Sequence, residues 1–153
     1  MTNEKLVGKC GLYCGACSIY RAYKDDGEYL KRLSKHFKCS LDKIRCEGCQ
    51  VLTAKCWGND CKIVQCLNAK DYDFCYECPQ YEEHSCEKFA KLAKGYLEED
   101  NVDLRANLEK IKSGKIKEWL KESKKRFRCP YCKKPLPTGA KKCHHCSKEF
   151  PQI

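Results

Sequence analysis

Apolar residues recur at helical spacing through the second half of the chain. Phe89, Leu92, Ala93, Tyr96 and Leu97 stand three and four positions apart, the period that lines one face of an α-helix. Ser85 and Asn101 stand where caps for that helix would sit. Leu104, Leu108 and Ile111 form a second apolar face, closed by Gly114 as a C-cap, and Ile116, Trp119 and Leu120 begin a third. The pattern predicts a helical hairpin turning at Ser113-Gly114. Nearer the start, Ile19, Tyr20, Tyr23, Leu30, Leu33 and Phe37 predict helices after Cys17, broken near Asp25-Asp26-Gly27. Glu47-Gly48, Gly58-Asn59-Asp60 and Cys78-Pro79 punctuate turn-rich sequence between them.

These apolar positions are sparse for a chain of 153 residues, so the core is marginal without staples. The staples are sixteen cysteines, about one residue in ten, a level that in a short chain signals disulfides or bound metal. The opening run Met1-Thr2-Asn3-Glu4-Lys5-Leu6-Val7-Gly8-Lys9 has no apolar core of signal-peptide type, and the expected location is the cytoplasm. Thiols stay reduced there, so closely paired cysteines read as metal ligands. No apolar stretch approaches the roughly 20 residues that span a bilayer, so no membrane role is expected.

Twelve cysteines fall between Cys10 and Cys86 and four between Cys129 and Cys146. The cysteine-free stretch between the sets divides the chain into a cysteine-rich metal-binding domain over 1–100, a basic helical linker over 101–128 and a small domain over 129–153. The expected fold class is mixed but mainly α: a metal-stabilised cysteine-rich domain, the helical linker, and a C-terminal zinc ribbon of short β-hairpin knuckles.

The ribbon rests on Cys129-Pro130-Tyr131-Cys132 and Cys143-His144-His145-Cys146, two CxxC pairs with ten residues between them. A two-residue spacer turns both thiolates toward one ion, and the intervening span lets a hairpin bring the second pair round to complete a tetrahedron. Four cysteines satisfy zinc, so His144 and His145 are not needed as ligands. The segment from Cys129 to Phe150 resembles the short zinc-ribbon family appended to many prokaryotic proteins, including its Pro135-Leu136-Pro137 stretch. It departs from that family at Ser147, where a glycine is usual.

The larger set opens with Cys10-Gly11-Leu12-Tyr13-Cys14-Gly15-Ala16-Cys17, where Gly11 and Gly15 would let backbone wrap closely round a ligand. It continues through Cys46-Glu47-Gly48-Cys49, Cys61, Cys66, Cys75-Tyr76-Glu77-Cys78 and Cys86. This order of motifs resembles the DUF3795 family over about residues 8–92. The resemblance implies a compact metal-binding domain, carries no established activity, and falls on Cys10, Cys14, Cys17, Cys46, Cys49, Cys61, Cys66, Cys75, Cys78 and Cys86. Ten ligands exceed two four-cysteine sites and fall short of three. Cys39 and Cys56 could complete a third site, His84 could contribute, or two of the ten are not ligands. Cys56, lying among the others, is included in the expected ligand set; Cys39 follows an apolar helix face and also reads as a buried thiol. About three to four zinc ions are expected, with an iron–sulfur cluster as the alternative for the N-terminal cysteines.

Catalytic readings fare poorly. Cys10, Cys14 and Cys17 have the CxxxCxxC spacing of radical-SAM enzymes, but that chemistry sits on a barrel of roughly 200 residues that this chain does not encode. Closed four-cysteine sites leave no open position for hydrolysis, His36, His84, His144 and His145 form no constellation, and no CxxC pair stands in a thioredoxin-like pattern. An enzyme is not the expected reading.

Charge singles out the C-terminal third. Residues 1–100 hold 16 basic and 16 acidic side chains, whereas 101–153 hold 15 against 5, so the formal charge of +10 lies entirely there. A zinc bound by four thiolates carries two net negative charges; four such sites would bring the whole chain to about +2, yet leave the last third near +8. Lys110, Lys112, Lys115, Lys117, Lys121, Lys124, Lys125, Arg126 and Arg128 lead into Lys133, Lys134, Lys141, Lys142 and Lys148, with Trp119, Phe127 and Tyr131 interleaved. That composition suits nucleic acid over 101–153. Against it, lysine-rich helices are often only solvated faces, and the apolar spacing turns Trp119 and Phe127 inward. The first expectation is a structural or protein-interaction module; metal storage is a third reading, and the oligomeric state stays open.

Overall fold

The computed structural model describes residues 4–150; Met1, Thr2 and Asn3 of the leading stretch and 151–153 of the predicted ribbon segment lie outside the described residues. The fold is mainly helical and cysteine-rich. Seven α-helices follow in order: α1 (Ser18–Asp25), α2 (Gly27–Phe37), α3 (Lys62–Lys70), α4 (Pro79–Glu82), α5 (Glu87–Asp100), α6 (Leu104–Lys112) and α7 (Ile116–Arg126). Short 3-10 turns punctuate the remaining cysteine-rich sequence, including Cys14–Ala16, Cys49–Val51 and Cys75–Glu77.

The helix boundaries have local causes. α1 and α2 part at Asp26, whose φ of 55° no helix accommodates and whose carboxylate accepts the Gly27 N–H at 2.8 Å. α5 ends at Asn101, left-handed at φ 55°, a C-cap conformation asparagine tolerates. Its N-cap is Cys86 rather than Ser85. Asp103 caps α6 by accepting the Ala106 N–H at 3.0 Å, and Gly114, at φ 85°, turns the chain into α7.

Most of the apolar pattern is spent on one core. Leu6, Val7, Leu12, Phe89, Val102, Leu104, Leu108, Ile111, Trp119 and Leu120 are all buried in it, with Phe89, Leu104 and Leu108 wholly inaccessible. The 101–128 segment, expected as a linker, therefore supplies core side chains from both of its helices. Two stripe positions depart: Phe37 at the end of α2 is 40 % exposed and Leu97 on the outer face of α5 is 49 % exposed. A smaller cluster of Ile19, Ala22, Ile44 and Cys46 lies under α1 and α2, with Cys39 packed at its edge.

Gly11 has φ 94°, and a Cβ there would collide with the Leu104 carbonyl oxygen of α6 and the Leu108 side chain. Asn107 locks the contact by donating to the Gly11 carbonyl at 2.9 Å. The freedom of Gly11 thus serves the packing of the first cysteine loop on α6.

Among the described residues there is no extended strand. The hairpins expected of the ribbon are each reduced to one antiparallel bridge, Arg128 with Pro135 and Lys142 with Glu149. The knuckles are too tight to propagate a ladder, since each closes within six residues by reciprocal bonds: Cys129 N–H to the Lys134 carbonyl and Lys133 N–H to the Cys129 carbonyl, repeated by Cys143 with Lys148 and Ser147 with Cys143, all at 2.9 Å.

Candidate metal centres

The two C-terminal knuckles face one another. Sγ of Cys129 lies 3.7 Å from that of Cys146, and Sγ of Cys132 lies 3.7 Å from that of Cys143; all four sulfurs fall within 4.8 Å of one another. Thiolates about 2.3 Å from a single zinc define a tetrahedron with edges of about 3.8 Å, so the spacing suits one ion. A multi-iron cluster would hold its cysteines on different metals and farther apart.

Backbone N–H groups point at the sulfurs. Tyr131 and Cys132 donate to Cys129 at 3.4 and 3.5 Å, and His145 and Cys146 donate to Cys143 at 3.3 and 3.5 Å. Burial pushes the Cys129 thiol up, but these donors and the neighbouring thiols outweigh it and hold its pKa below the ordinary value. Cys143 moves up, because burial and its thiol neighbours dominate there. Four clustered thiols cannot all ionise unaided; a bound cation would supply the missing charge.

Ser147 has φ 65°, as does Lys133 at the equivalent place in the first knuckle. The departure from the usual glycine therefore leaves the turn intact and loads it with a conformation that side chains resist.

Neither histidine joins the four sulfurs. His144 Nε2 lies 2.7 Å from Asp25 Oδ2 at the end of α1, and its ring stacks on Tyr29 of α2 with centroids 4.3 Å apart. His145 Nε2 lies 3.1 Å from the Pro135 carbonyl and 3.3 Å from the same Asp25 oxygen. Arg21 holds the other Asp25 oxygen at 3.3 Å, and the Thr138 N–H donates to the Ala16 carbonyl at 2.8 Å. These contacts latch the C-terminal unit onto α1 and α2. Burial would raise the Asp25 carboxyl, but the His144 hydrogen bond and the charges of Arg21 and the histidines pull it below its usual value. The Asp25, His144 and His145 ligand atoms lie within 4.8 Å of one another, and Arg21 stands on the other Asp25 oxygen, so the three side chains join α1 to the second knuckle as a latch. No spacing rule links Asp25 to a histidine 119 residues away, so the sequence reading missed it.

Among the described residues no three N-terminal cysteines bring their sulfurs within 4.8 Å of one another. One loose neighbourhood surrounds Cys49, whose interaction with Cys14 lowers the Cys49 pKa to about 7 and raises that of Cys14. Cys10, Cys17 and Cys46 also feel the Cys49 charge, after burial, and all three are raised. Cys56 stands beside Cys46, accepting from Thr53 at 3.4 Å, and Cys61 is exposed. The second neighbourhood gathers Cys66, Cys75, Cys78 and Cys86. Cys75 is pushed up to about 12 by burial and then by Cys86, Cys66 and Cys78. His84 lines neither the cavity at this second neighbourhood nor the four-sulfur cluster.

A family model described as Protein of unknown function (DUF3795) matches residues 6–91, more than half of the chain. The chain belongs to the DUF3795 family. No curated protein and no solved structure matches it. The DUF3795 match takes in both N-terminal cysteine neighbourhoods and ends within α5, so the four-sulfur cluster lies outside it. Among the described residues no helix is long and apolar enough to cross a membrane.

Proposed function

We propose that this DUF3795 protein is a cytoplasmic zinc-binding protein with structural metal sites, working as a protein-interaction module rather than an enzyme. Its C-terminal segment is a zinc ribbon on Cys129, Cys132, Cys143 and Cys146, and its N-terminal domain binds further zinc through cysteines of the DUF3795 pattern. The observation that carries the reading is the pair of 3.7 Å sulfur separations, which match one tetrahedral ion with every ligand supplied by protein. A closed site of that kind stabilises structure and leaves no position for a substrate or an activated water.

The contact surface is the basic C-terminal third. Lys115, Lys117, Lys121, Lys124 and Lys125 of the last helical segment are exposed, as are Lys133, Lys134, Lys141, Lys142 and Lys148 around the knuckles. The rings that would stack on bases are largely withdrawn: Trp119 is 3 % exposed, Phe127 packs against Tyr13, and Tyr131, though 51 % exposed, carries Lys148 over its face. Cations without free aromatic platforms favour an acidic protein surface over single-stranded nucleic acid.

Fluorescence anisotropy of the whole protein with an acidic peptide and with a single-stranded RNA, across a salt series, separates the two. Binding to the acidic peptide with little affinity for RNA supports the module. Tight RNA binding with a steep salt slope would replace it with a nucleic-acid-binding function.

A further inference from the structure

A cavity of about 20 Å³ lies between α3, α4 and the start of α5, and four cysteines line it: Cys66, Cys75, Cys78 and Cys86. It is room for one water-sized occupant, since roughly 10–15 Å³ is the least such an occupant needs. We propose that these four cysteines form a second closed four-thiolate site for one zinc ion, distinct from the ribbon and internal to the DUF3795 domain. This rests on the reading that the protein binds zinc.

Three local devices deliver the four ligands. Cys66 projects from α3, Cys75 and Cys78 bracket a 3-10 turn in which the Cys78 N–H donates to the Cys75 carbonyl at 3.1 Å, and Cys86 caps α5. That middle pair is a CxxC knuckle of the same spacing as those in the ribbon. Ile63, Leu67, Tyr81 and Phe89, all buried, supply its apolar walls.

Two exposed lysines stand at the rim of this cavity: Lys70 and Lys88 line it, and Lys70 Nζ lies 3.5 Å from the Cys78 sulfur. Neutral thiols in apolar surroundings gain little from an ammonium group. Four thiolates on a divalent ion carry two negative charges, which two ammonium groups balance. The sulfurs are not drawn within the 4.8 Å mutual spacing seen in the ribbon, so ion binding would tighten the cluster by side-chain rotation about the cavity. As it stands, the cavity has room for a single ion and none for the several irons and sulfides of an iron–sulfur cluster.

The assignment also divides the family pattern. It uses Cys66, Cys75, Cys78 and Cys86 and leaves Cys10, Cys14, Cys17, Cys46, Cys49 and Cys61 to the neighbourhood around Cys49. The remaining six exceed one four-cysteine site by two, so the difficulty of ten is confined to the neighbourhood around Cys49.

The test uses the full chain, purified without added chelator, with zinc and iron measured by elemental analysis. Three proteins are compared: the unaltered chain, Cys75→Ser with Cys78→Ser, and Cys129→Ser with Cys132→Ser. Each double variant should lose about one zinc per chain. An unchanged zinc count in the Cys75→Ser, Cys78→Ser protein, beside a lost equivalent in the ribbon variant, overturns this site and leaves the zinc reading standing. Absence of zinc from the unaltered chain overturns both. Should a variant fail to fold, alkylation of the native protein with N-ethylmaleimide during graded chelator treatment decides. Peptide mapping should show Cys66, Cys75, Cys78 and Cys86 becoming reactive in one step; labelling of any one of them well before the other three contradicts a shared ion.

Discussion

Replacing Asp25 tests whether the latch between α1 and the second knuckle contributes to stability. In the native protein Asp25 bonds His144 at 2.7 Å and Arg21 at 3.3 Å, and its side chain and that of His144 are only 13 % and 6 % exposed. Asp25→Ala removes the shared carboxylate and leaves Arg21, whose side chain is 10 % exposed and whose Nε already lacks a partner, as a buried cation without a counter-charge. Breaking such a pair from one side costs about 3–5 kcal/mol. His144→Phe keeps the ring stack on Tyr29 and loses only the hydrogen bond, worth about 1.5–3 kcal/mol when one partner is charged. The double variant should cost less than the two single variants together, with a coupling of about 1.5–3 kcal/mol. Urea unfolding at fixed zinc concentration, followed by fluorescence of the buried Trp119 and its neighbours, measures all four proteins. Additive effects within about 0.5 kcal/mol would show that the two side chains do not act together and would refute the latch.

Other expectations follow from single positions. Ser147→Gly should raise stability by up to about 1–2 kcal/mol, because φ 65° is a conformation glycine adopts without steric penalty; thermal unfolding of the metal-loaded protein would detect it, and a lower midpoint would contradict the turn geometry. Gly11→Ala should destabilise by more than 1 kcal/mol, since the added methyl meets the Leu104 carbonyl at a φ of 94°; an unchanged denaturation midpoint would show that the loop does not seat on α6. Phe89→Ala, emptying a wholly buried core position, should cost about 3–5 kcal/mol, measured by the same unfolding curves, and a loss below 1 kcal/mol would place Phe89 outside the core.

Local information was legible in the sequence and distant pairing was not. The three- and four-residue spacing of Leu104, Leu108 and Ile111 identifies α6, Asp25-Asp26-Gly27 marks the break between α1 and α2, and the CxxC pairs bring Cys129, Cys132, Cys143 and Cys146 together. Each is decided by residues a few positions apart. What escaped depends on tertiary meeting points: Asp25 with His144, Lys70 with Cys78, and the gathering of Cys66, Cys75, Cys78 and Cys86 round one small cavity. Leu97 shows the limit of periodicity, since it continues the stripe of α5 beyond the width of surface that α6 covers. The absence of extended strands among the described residues has a different cause, the closure of each knuckle by its own reciprocal backbone bonds.

If cysteines hold single zinc ions in closed structural sites, elemental analysis of the protein as purified will find about three to four zinc ions per chain, with negligible iron and sulfide, in a colourless sample. Iron with stoichiometric sulfide, or less than one metal ion of any kind per chain, would contradict the zinc reading.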